Sequence, residues 1–283
     1  MTDAALTLSA LYIYPIKSAG GYAVTQTQIE PRGPRWDRRF TLTSPGGRPV
    51  TQRDVPGMRL IRVQPQEGGW EVEAPGHPSL FLPERPASLS TERRHVQVWG
   101  DATEGCAVGP EFDAWFSAVL GRPVQLMQMP EDTERWQTGK PHRSRLSYVD
   151  GNPFHLITEA SVAHLSAASG RALTAAEFRP NLVLSGAFPP YAEDFWRRIR
   201  VGEVEFDVVE SCGRCAVINV TAQGEAGAEP LRTLARTRRQ PHGLPFGQHL
   251  IQAALPNERR GTLRVGDRVE VLGRADAPNP VYP

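Results

Sequence analysis

The chain has 283 residues, enough for one large hydrophobic core or two modest ones, and length alone does not choose between them. Its 32 basic side chains nearly balance 31 acidic ones, so overall charge gives no reason to expect nucleic acid or an anionic membrane as a partner. Three cysteines are too few for a disulfide framework, and no apolar run approaches the roughly 18 to 20 residues of a membrane span. The N-terminus also lacks a readable signal peptide, and we therefore expect a soluble, cytoplasmic protein.

Short β-forming stretches dominate the first hundred residues. Gly/Pro turn signals separate them, and this spacing favours a sandwich or barrel over βαβ units. The predicted strands cover residues 6–16, 22–29, 39–43, 58–63, 70–72, 80–82 and 96–99.

The rest of the chain mixes a few helices with further strands. Apolar residues at helical spacing predict helices over 111–120, 161–168 and 230–237. The polar stretch 130–147 is interpreted as a surface loop or a link between halves. The sequence therefore predicts a mainly β protein of β-barrel type, with an N-terminal β unit over 1–100 and a C-terminal β unit over 101–283.

The motif Cys212-Gly213-Arg214-Cys215 lies between predicted strands at 204–209 and 216–220. An arginine and the backbone amides freed by glycine favour a thiolate there. A thioredoxin-like redox pair would require a helix in a βαβ unit, and zinc binding with His242 and His249 would require an unusually long spacing. The remaining interpretations are a single thiolate ligand for a redox metal held by a cofactor, and a buried structural cysteine pair.

Basic residues near the N-terminus offer a place for an anion. Lys17 and Ser18 precede a glycine pair, a combination that suits phosphate but also occurs in solvated turns. Arg35, Arg38 and Arg39 follow, and arginine favours a planar, two-point grip on phosphate or carboxylate, although most surface arginines have no such role.

Polar residues of the C-terminal half offer contacts to a heterocycle or a partner. Arg179 and Asn181 flank a proline at a strand entrance, where they either face a ligand or merely cap the strand. The Gly/Pro-rich loop at 241–248 is of a kind that lines pockets. A basic run is either a solvated helix face or a dock for an acidic electron-transfer partner. The run consists of Arg232, Arg236, Arg238 and Arg239.

Taken together and in order, these motifs resemble those of the MOSC family, and within it the amidoxime-reducing branch. The resemblance implies an N-terminal MOSC β-barrel domain over 1–100 and a MOSC domain over 101–283. Whether the two domains pack as one unit is left open. The matching segments are 14–18, 37–40, 178–181, 191–194, 212–215, 246–248 and 265–267.

The resemblance also implies roles for individual residues. Cys215 matches the catalytic cysteine that ligates molybdenum, whereas Cys212 receives no ligand role. The segment 148–154 matches a pocket-lining stretch, although Gly151-Asn152 departs from the Thr-Ser of some relatives. Lys17, Ser18 and Arg39 match residues that hold the cofactor phosphate, and Arg179, Asn181 and Arg214 match groups around the pterin.

The activity implied is that of a molybdenum-cofactor (molybdopterin) oxidoreductase that reduces small N-hydroxylated compounds. No cysteine follows Cys215, so we expect no built-in iron–sulfur site and a separate electron donor, ferredoxin-like or cytochrome b5-like with its reductase. Two alternatives stay open. Cys215 could carry sulfur as a persulfide, or the chain could be a non-catalytic cofactor-binding module.

Overall fold

The computed structural model describes residues 6–254 and 258–282, and within these ranges the protein is built mainly from strands. The strands are β1 (Leu6–Ile13), β2 (Tyr22–Val24), β3 (Gln26–Glu30), β4 (Gly33–Pro34), β5 (Phe40–Thr43), β6 (Arg62–Gln66), β7 (Gly69–Glu73), β8 (Leu80–Pro83), β9 (Arg93–Val98), β10 (Asp101–Ala107), β11 (Gln125–Gln128), β12 (Phe154–Thr158), β13 (Leu182–Ser185), β14 (Trp196–Val201), β15 (Val204–Gly213), β16 (Pro245–Gln252), β17 (Gly261–Arg264) and β18 (Arg268–Arg274). The α-helices are α1 (Pro110–Leu120), α2 (Glu159–Ser169) and α3 (Leu231–Thr237), and short 3-10 helices cover Pro56–Leu60, Ala175–Phe178, Ala192–Phe195 and Ala216–Asn219.

Seven strands close into a barrel in the order β13-β12-β16-β15-β14-β18-β1, and a direct pairing of β1 with β13 completes the ring. Its core holds large apolar side chains, among them Phe154 and Phe206, whose rings meet edge to face at 5.0 Å. Because β1 is the first strand and the others follow residue 153, the two ends of the chain build this barrel together.

Most of the N-terminal part forms smaller antiparallel sheets around a second core. One sheet has the order β5-β11-β10-β9 and another has the order β6-β7-β8, while β17, β3 and β4 form a third. Trp70 lies at the centre of this core, in edge-to-face contact with Trp36 and Phe40. Helix α1 packs on strand β11 and adds Phe112 and Phe116 to the same core.

The helices have the local signals expected of them. Helix α1 begins with Pro110, where the missing N–H costs nothing, and ends at Gly121 in a left-handed conformation. Helix α2 begins after Thr158, whose hydroxyl accepts from the backbone N–H of Ser161, and it too ends at a left-handed glycine, Gly170. None of the helices in the described part of the chain is long and apolar enough to cross a membrane.

The predicted fold class, mainly β with barrel architecture and a few helices, is confirmed. The strand predicted at 216–220 is wrong, because Ala216–Asn219 forms a 3-10 helix instead. Both edges of β15 are already paired, with β14 and β16, so the β-prone residues that follow Cys215 find no open edge beside them. The division of the chain after residue 100 stays a prediction.

Barrel closure should depend on apolar side chains at the junction of β1 and β13. Leu184 is fully buried opposite Leu8, so Leu184→Ala should lower the free energy of unfolding by about 2 to 5 kcal/mol. Leu272→Ala is the matched control, because Leu272 is 41% exposed and its truncation should change stability by about 0.5 kcal/mol or less. Urea denaturation measures both, and equal losses would contradict this picture of the core.

Candidate functional site

The candidate site lies at one end of the barrel, where strand register gathers residues that are far apart in sequence. Strands β1 and β13 are antiparallel, so the exit of β1 meets the entrance of β13, and the N–H of Tyr12 donates to the carbonyl of Asn181 at 2.9 Å. The entrance of β12 lies beside β13, and His155 on β12 faces His249 on β16. The exit of β15, which carries Cys212, lies beside the entrance of β16.

A cavity of about 630 Å³ opens at this end, and it brings most of the predicted residues together. Six of the seven residues predicted for the cofactor line it: Lys17, Ser18, Arg179, Asn181, Arg214 and Cys215. The predicted pocket-lining stretch also contributes, through Asp150, Gly151 and Asn152.

The seventh residue, Arg39, does not line the cavity. Its guanidinium is buried elsewhere, 3.3 Å from the carboxylate of Glu30 and 2.9 Å from that of Glu131. The neighbouring Arg38 lines the cavity instead. Arg38 has a left-handed backbone with a φ of 50°, and the sequence alone did not show that this turn directs Arg38 rather than Arg39 to the cavity.

Cationic side chains dominate the inner wall of the cavity, and two of them have unused donors. Arg179 and Arg38 lie on the ring of Tyr14, with 4.4 and 4.3 Å between each guanidinium carbon and the ring centre. The Nη2 of Arg179 and the Nε of Arg214 are shielded from solvent and make no hydrogen bond with any of the described residues. Because a buried donor without an acceptor costs free energy, these groups favour a ligand rich in acceptors.

Lys17 is held at the cavity wall by two oxygen atoms. Its ammonium group forms an ion pair with Asp150 and donates to the backbone carbonyl of Tyr148 at 2.8 Å. Burial lowers the pKa of Lys17, and the Asp150 carboxylate acts in the opposite direction. Asp150 thus fixes a cation close to the predicted phosphate contact at Ser18.

Backbone strain is concentrated at this cavity. Among the described residues, six that are not glycine have positive φ, and four of those six line it. Each such residue costs roughly 1 to 3 kcal/mol, and such strain tends to collect at functional sites. The four are Ser18, Arg38, Trp99 and Arg179.

Cys215 is the more accessible thiol of the motif. It is half-buried, with extended backbone, directly before the 3-10 helix Ala216–Asn219. The Nη1 of Arg53 lies 3.6 Å from its sulfur. Arg53 comes from the N-terminal part of the chain, and no motif in the sequence pointed to it.

Cys212 is buried at the same cavity among positive groups. The Nη1 of Arg214 donates to its sulfur at 3.0 Å. Burial alone would raise the pKa of the Cys212 thiol, but Arg214, His249 and His155 outweigh it and hold that pKa well below its usual range. The sequence singled out Cys215 and left Cys212 without a role, whereas the structure makes Cys212 a stabilised thiolate.

Glu210 and His249 form a buried ion pair beside Cys212. The Nδ1 of His249 lies 2.9 Å from the Glu210 carboxylate, which also accepts from Lys140 and from the Asn152 amide at 2.5 Å. Burial raises the pKa of Glu210, but His249 and Lys140 reverse this effect and lower it to about 2. Burial lowers the pKa of His249, but Cys212 and Glu210 raise it to about 9.

The other interpretations of the motif gain no support from the geometry. Within residues 6–254 and 258–282, no group of three or more His, Cys, Asp or Glu side chains is placed to hold a metal ion by itself. Cys212 and Cys215 are both free thiols, and the segment directly after Cys215 is a short 3-10 helix rather than the α-helix of a thioredoxin-like motif. His242 and His249 line the cavity, but zinc binding by the protein alone is not indicated.

These residues suit an anionic, acceptor-rich cofactor such as molybdopterin. Lys17 and Arg38 would meet its phosphate, and the unpartnered Nη2 of Arg179 and Nε of Arg214 would meet further acceptors. The half-buried Cys215 offers a soft sulfur ligand of the kind that molybdenum accepts. The donor set of the cavity therefore fits the group.

Comparison with known proteins agrees with this geometry. The family model described as the MOSC N-terminal beta barrel domain matches residues 5–123, and the MOSC domain matches residues 143–270. The mitochondrial amidoxime-reducing component 1 of Mus musculus is 31% identical over 95% of this chain and 83% of its own length. The chain belongs to the MOSC family.

Other relatives of this MOSC protein carry a different name. A molybdenum cofactor sulfurase of Oryza sativa subsp. japonica is 34% identical over 85% of this chain but only 32% of its own length. The chain thus spans about a third of the sulfurases that it matches. The human mitochondrial amidoxime-reducing component 1 is 30% identical, with 83% of its length covered.

The ion pair of His249 and Glu210 predicts a pH response. Because the folded-state pKa of His249 is raised from about 6.5 to about 9, the pair contributes stability that is complete below about pH 6.5 and is lost as the pH rises through 9. Glu210→Gln should lower the pKa of His249 and flatten the pH dependence of unfolding over this range. NMR titration of the His249 ring measures the pKa.

The matched control is Glu205→Gln, on the same strand, because the Glu205 carboxylate pairs with Arg200 and not with His249. It should leave the titration of His249 unchanged. A His249 ring that titrates near pH 6.5 in the unaltered protein would contradict the ion pair.

Proposed function

We propose that this MOSC protein is a molybdenum-cofactor-dependent oxidoreductase that reduces small N-hydroxylated compounds, such as amidoximes and hydroxylamines, at their N–O bond. The observation that carries the proposal is the half-buried Cys215 thiol on a cavity with strongly cationic walls and unused buried donors. The chain covers 83% of the length of the mouse and human amidoxime-reducing components, and this similarity supports the same class of activity.

The cofactor would supply two-electron redox chemistry at its metal, with Cys215 as the protein's ligand. Lys17, Ser18 and Arg38 would bind the phosphate, and Arg179, Asn181 and Arg214 would orient the pterin. Asp150 holds the ammonium group of Lys17 in place through its ion pair, and Tyr148 adds a backbone contact. The protein would thus provide the phosphate anchor, the orientation of the cofactor and a sulfur ligand for its metal.

Reduction of an N-hydroxylated compound consumes two electrons and two protons and releases water. His249 is a cation at neutral pH because its pKa is raised to about 9, against the lowering effect of burial, by Cys212 and Glu210, and it lines the cavity. It is therefore a proton reservoir next to the reaction space. Lys140 adds a second cation on the same carboxylate.

Electrons would come from a separate donor protein, ferredoxin-like or cytochrome b5-like. The basic run of α3 offers a surface for an acidic partner, with Arg232, Arg236 and Arg239 exposed. Arg238 is not available for docking, because its guanidinium lies on the ring of Tyr191 and pairs with Asp194 at 2.5 Å.

A sulfur-carrier function is the second candidate, favoured by the relatives named molybdenum cofactor sulfurase. Cys215 would then hold a persulfide, and the purified protein would release sulfur with cyanide and contain little molybdenum. A cofactor-binding module without turnover is the third candidate. It would bind molybdopterin yet reduce no substrate with any electron donor.

Removal of the thiol is the direct test of Cys215. Cys215→Ala, made in a host that produces the cofactor, should lose most of its molybdenum and more than about 100-fold in reduction of N-hydroxylated compounds, since even supporting groups at metal sites cost 10- to 100-fold. Mass spectrometry of the metal and single-turnover assays measure the two effects. Cys106→Ala is the control, because Cys106 is buried in strand β10 and does not line the cavity.

Cofactor anchoring by Arg179 has its own test. Arg179→Gln should weaken retention of molybdopterin by about 10- to 100-fold, because hydrogen bonds to charged groups contribute about 1.5 to 3 kcal/mol each. Cofactor content after repeated desalting measures it. Arg39→Gln is the contrasting variant, since it disturbs the ion pairs with Glu30 and Glu131 and should lower stability with a smaller loss of cofactor. If Arg39→Gln loses more cofactor than Arg179→Gln, Arg39 rather than Arg179 would be the anchoring residue.

A further inference from the structure

Trp99 is the most exposed large apolar side chain among the described residues, at 61%. It is also the one member of that exposed group that lines the cavity. An exposed indole that lines a cavity is available for contact with a ligand, because aromatic side chains are common in the walls of ligand pockets.

The backbone at Trp99 is strained as well. Val98 pairs with Asp101, so Trp99 and Gly100 form the two-residue turn between β9 and β10. Trp99 has a φ of 55°, a conformation that glycine and asparagine adopt readily and a bulky aromatic residue rarely does. A hairpin selected only for its turn would carry a small residue at this position.

The indole is held in a defined place at the cavity mouth. The guanidinium carbon of Arg53 lies 4.7 Å from the ring centre, a cation–π contact that fixes the ring. The same guanidinium lies 3.6 Å from the sulfur of Cys215. One arginine thus connects the aromatic ring to the thiol at the proposed reaction centre.

We propose that Trp99 is a specificity-determining residue that stacks on flat aromatic rings of N-hydroxylated substrates as they enter the cavity. The inference rests on the proposed function and names the substrate class more narrowly: aryl amidoximes and aryl hydroxylamines in preference to alkyl ones. The ring of Trp99 is the outer wall, and Arg53 keeps it there. Stacked aromatic pairs strengthen binding beyond the effect of the area that they bury.

The test measures binding without turnover. The cofactor-loaded protein, with no reductant present, is titrated calorimetrically with benzamidoxime and with acetamidoxime, which lacks the ring. Trp99→Gly should weaken benzamidoxime about 5- to 10-fold, the fold-change that corresponds to a lost aromatic stack, and leave acetamidoxime unchanged. Trp99→Phe should restore most of the affinity.

A stability measurement separates recognition from a structural role. Glycine accepts positive φ, so the Tm of Trp99→Gly should equal or exceed that of the unaltered protein. Phe81→Ala is the matched control, because Phe81 is 48% exposed and lies away from the cavity. It should change neither affinity.

Each contrary outcome has a distinct meaning. Equal benzamidoxime affinity in Trp99→Gly and the unaltered protein overturns the inference. The inference is also overturned if Trp99→Gly lowers only the apparent affinity for the electron-donor protein, since Trp99 would then be a docking residue. If benzamidoxime binds through Trp99 but is never reduced, the stacking role stands and the proposed function fails.

Discussion

The antiparallel pairing of β1 with β13 is the constraint on which the candidate site depends. It closes the barrel with a strand from the start of the chain, and its direction places the exit of β1 beside the entrance of β13. Lys17 and Ser18 follow the first of these strands, and Arg179 and Asn181 precede the second. Their meeting at one cavity is therefore a consequence of strand direction and register, and a parallel pairing would have placed them at opposite ends of the barrel.

Charge balance explains how so many cations are tolerated at the barrel end. Asp150 pairs with Lys17, Asp37 with Arg38, and Glu210 with His249 and Lys140. The guanidinium donors of Arg179 and Arg214 are compensated only in part, and these are the groups that face the cavity with unused hydrogen-bonding capacity. Since buried charges need partners, these unused donors favour an anionic ligand at the cavity.

Much of this site was predictable from the sequence, because family motifs at 14–18, 178–181 and 212–215 each carry their residues onto the cavity. Local pattern also predicted the three α-helices, through caps and apolar spacing. The residue that faces the ligand within a pair of neighbours was not predictable. Arg38 has a left-handed backbone and pairs with the adjacent Asp37, whereas Arg39 pairs with Glu30 and Glu131, and Glu131 is distant in sequence.

The contributions of single residues from distant elements were beyond sequence reasoning for a related reason. Trp99 stands at a hairpin tip, and Arg53 lies in a loop with no recognisable motif. His249 directly follows the Gly/Pro-rich segment at 241–248, but its positive charge depends on Glu210 and Cys212 on the neighbouring strand. Such roles arise from tertiary contacts, which local composition does not encode.

The central claim is that Cys215 binds the metal of a cofactor held at this cavity. X-ray absorption spectroscopy at the molybdenum edge tests it most directly, because it counts the sulfur neighbours of the metal. The account predicts one sulfur neighbour more in the unaltered protein than in cofactor-loaded Cys215→Ser, with no such difference for Cys212→Ser. An identical sulfur count in the unaltered protein and Cys215→Ser, or a loss caused by Cys212→Ser alone, would contradict it.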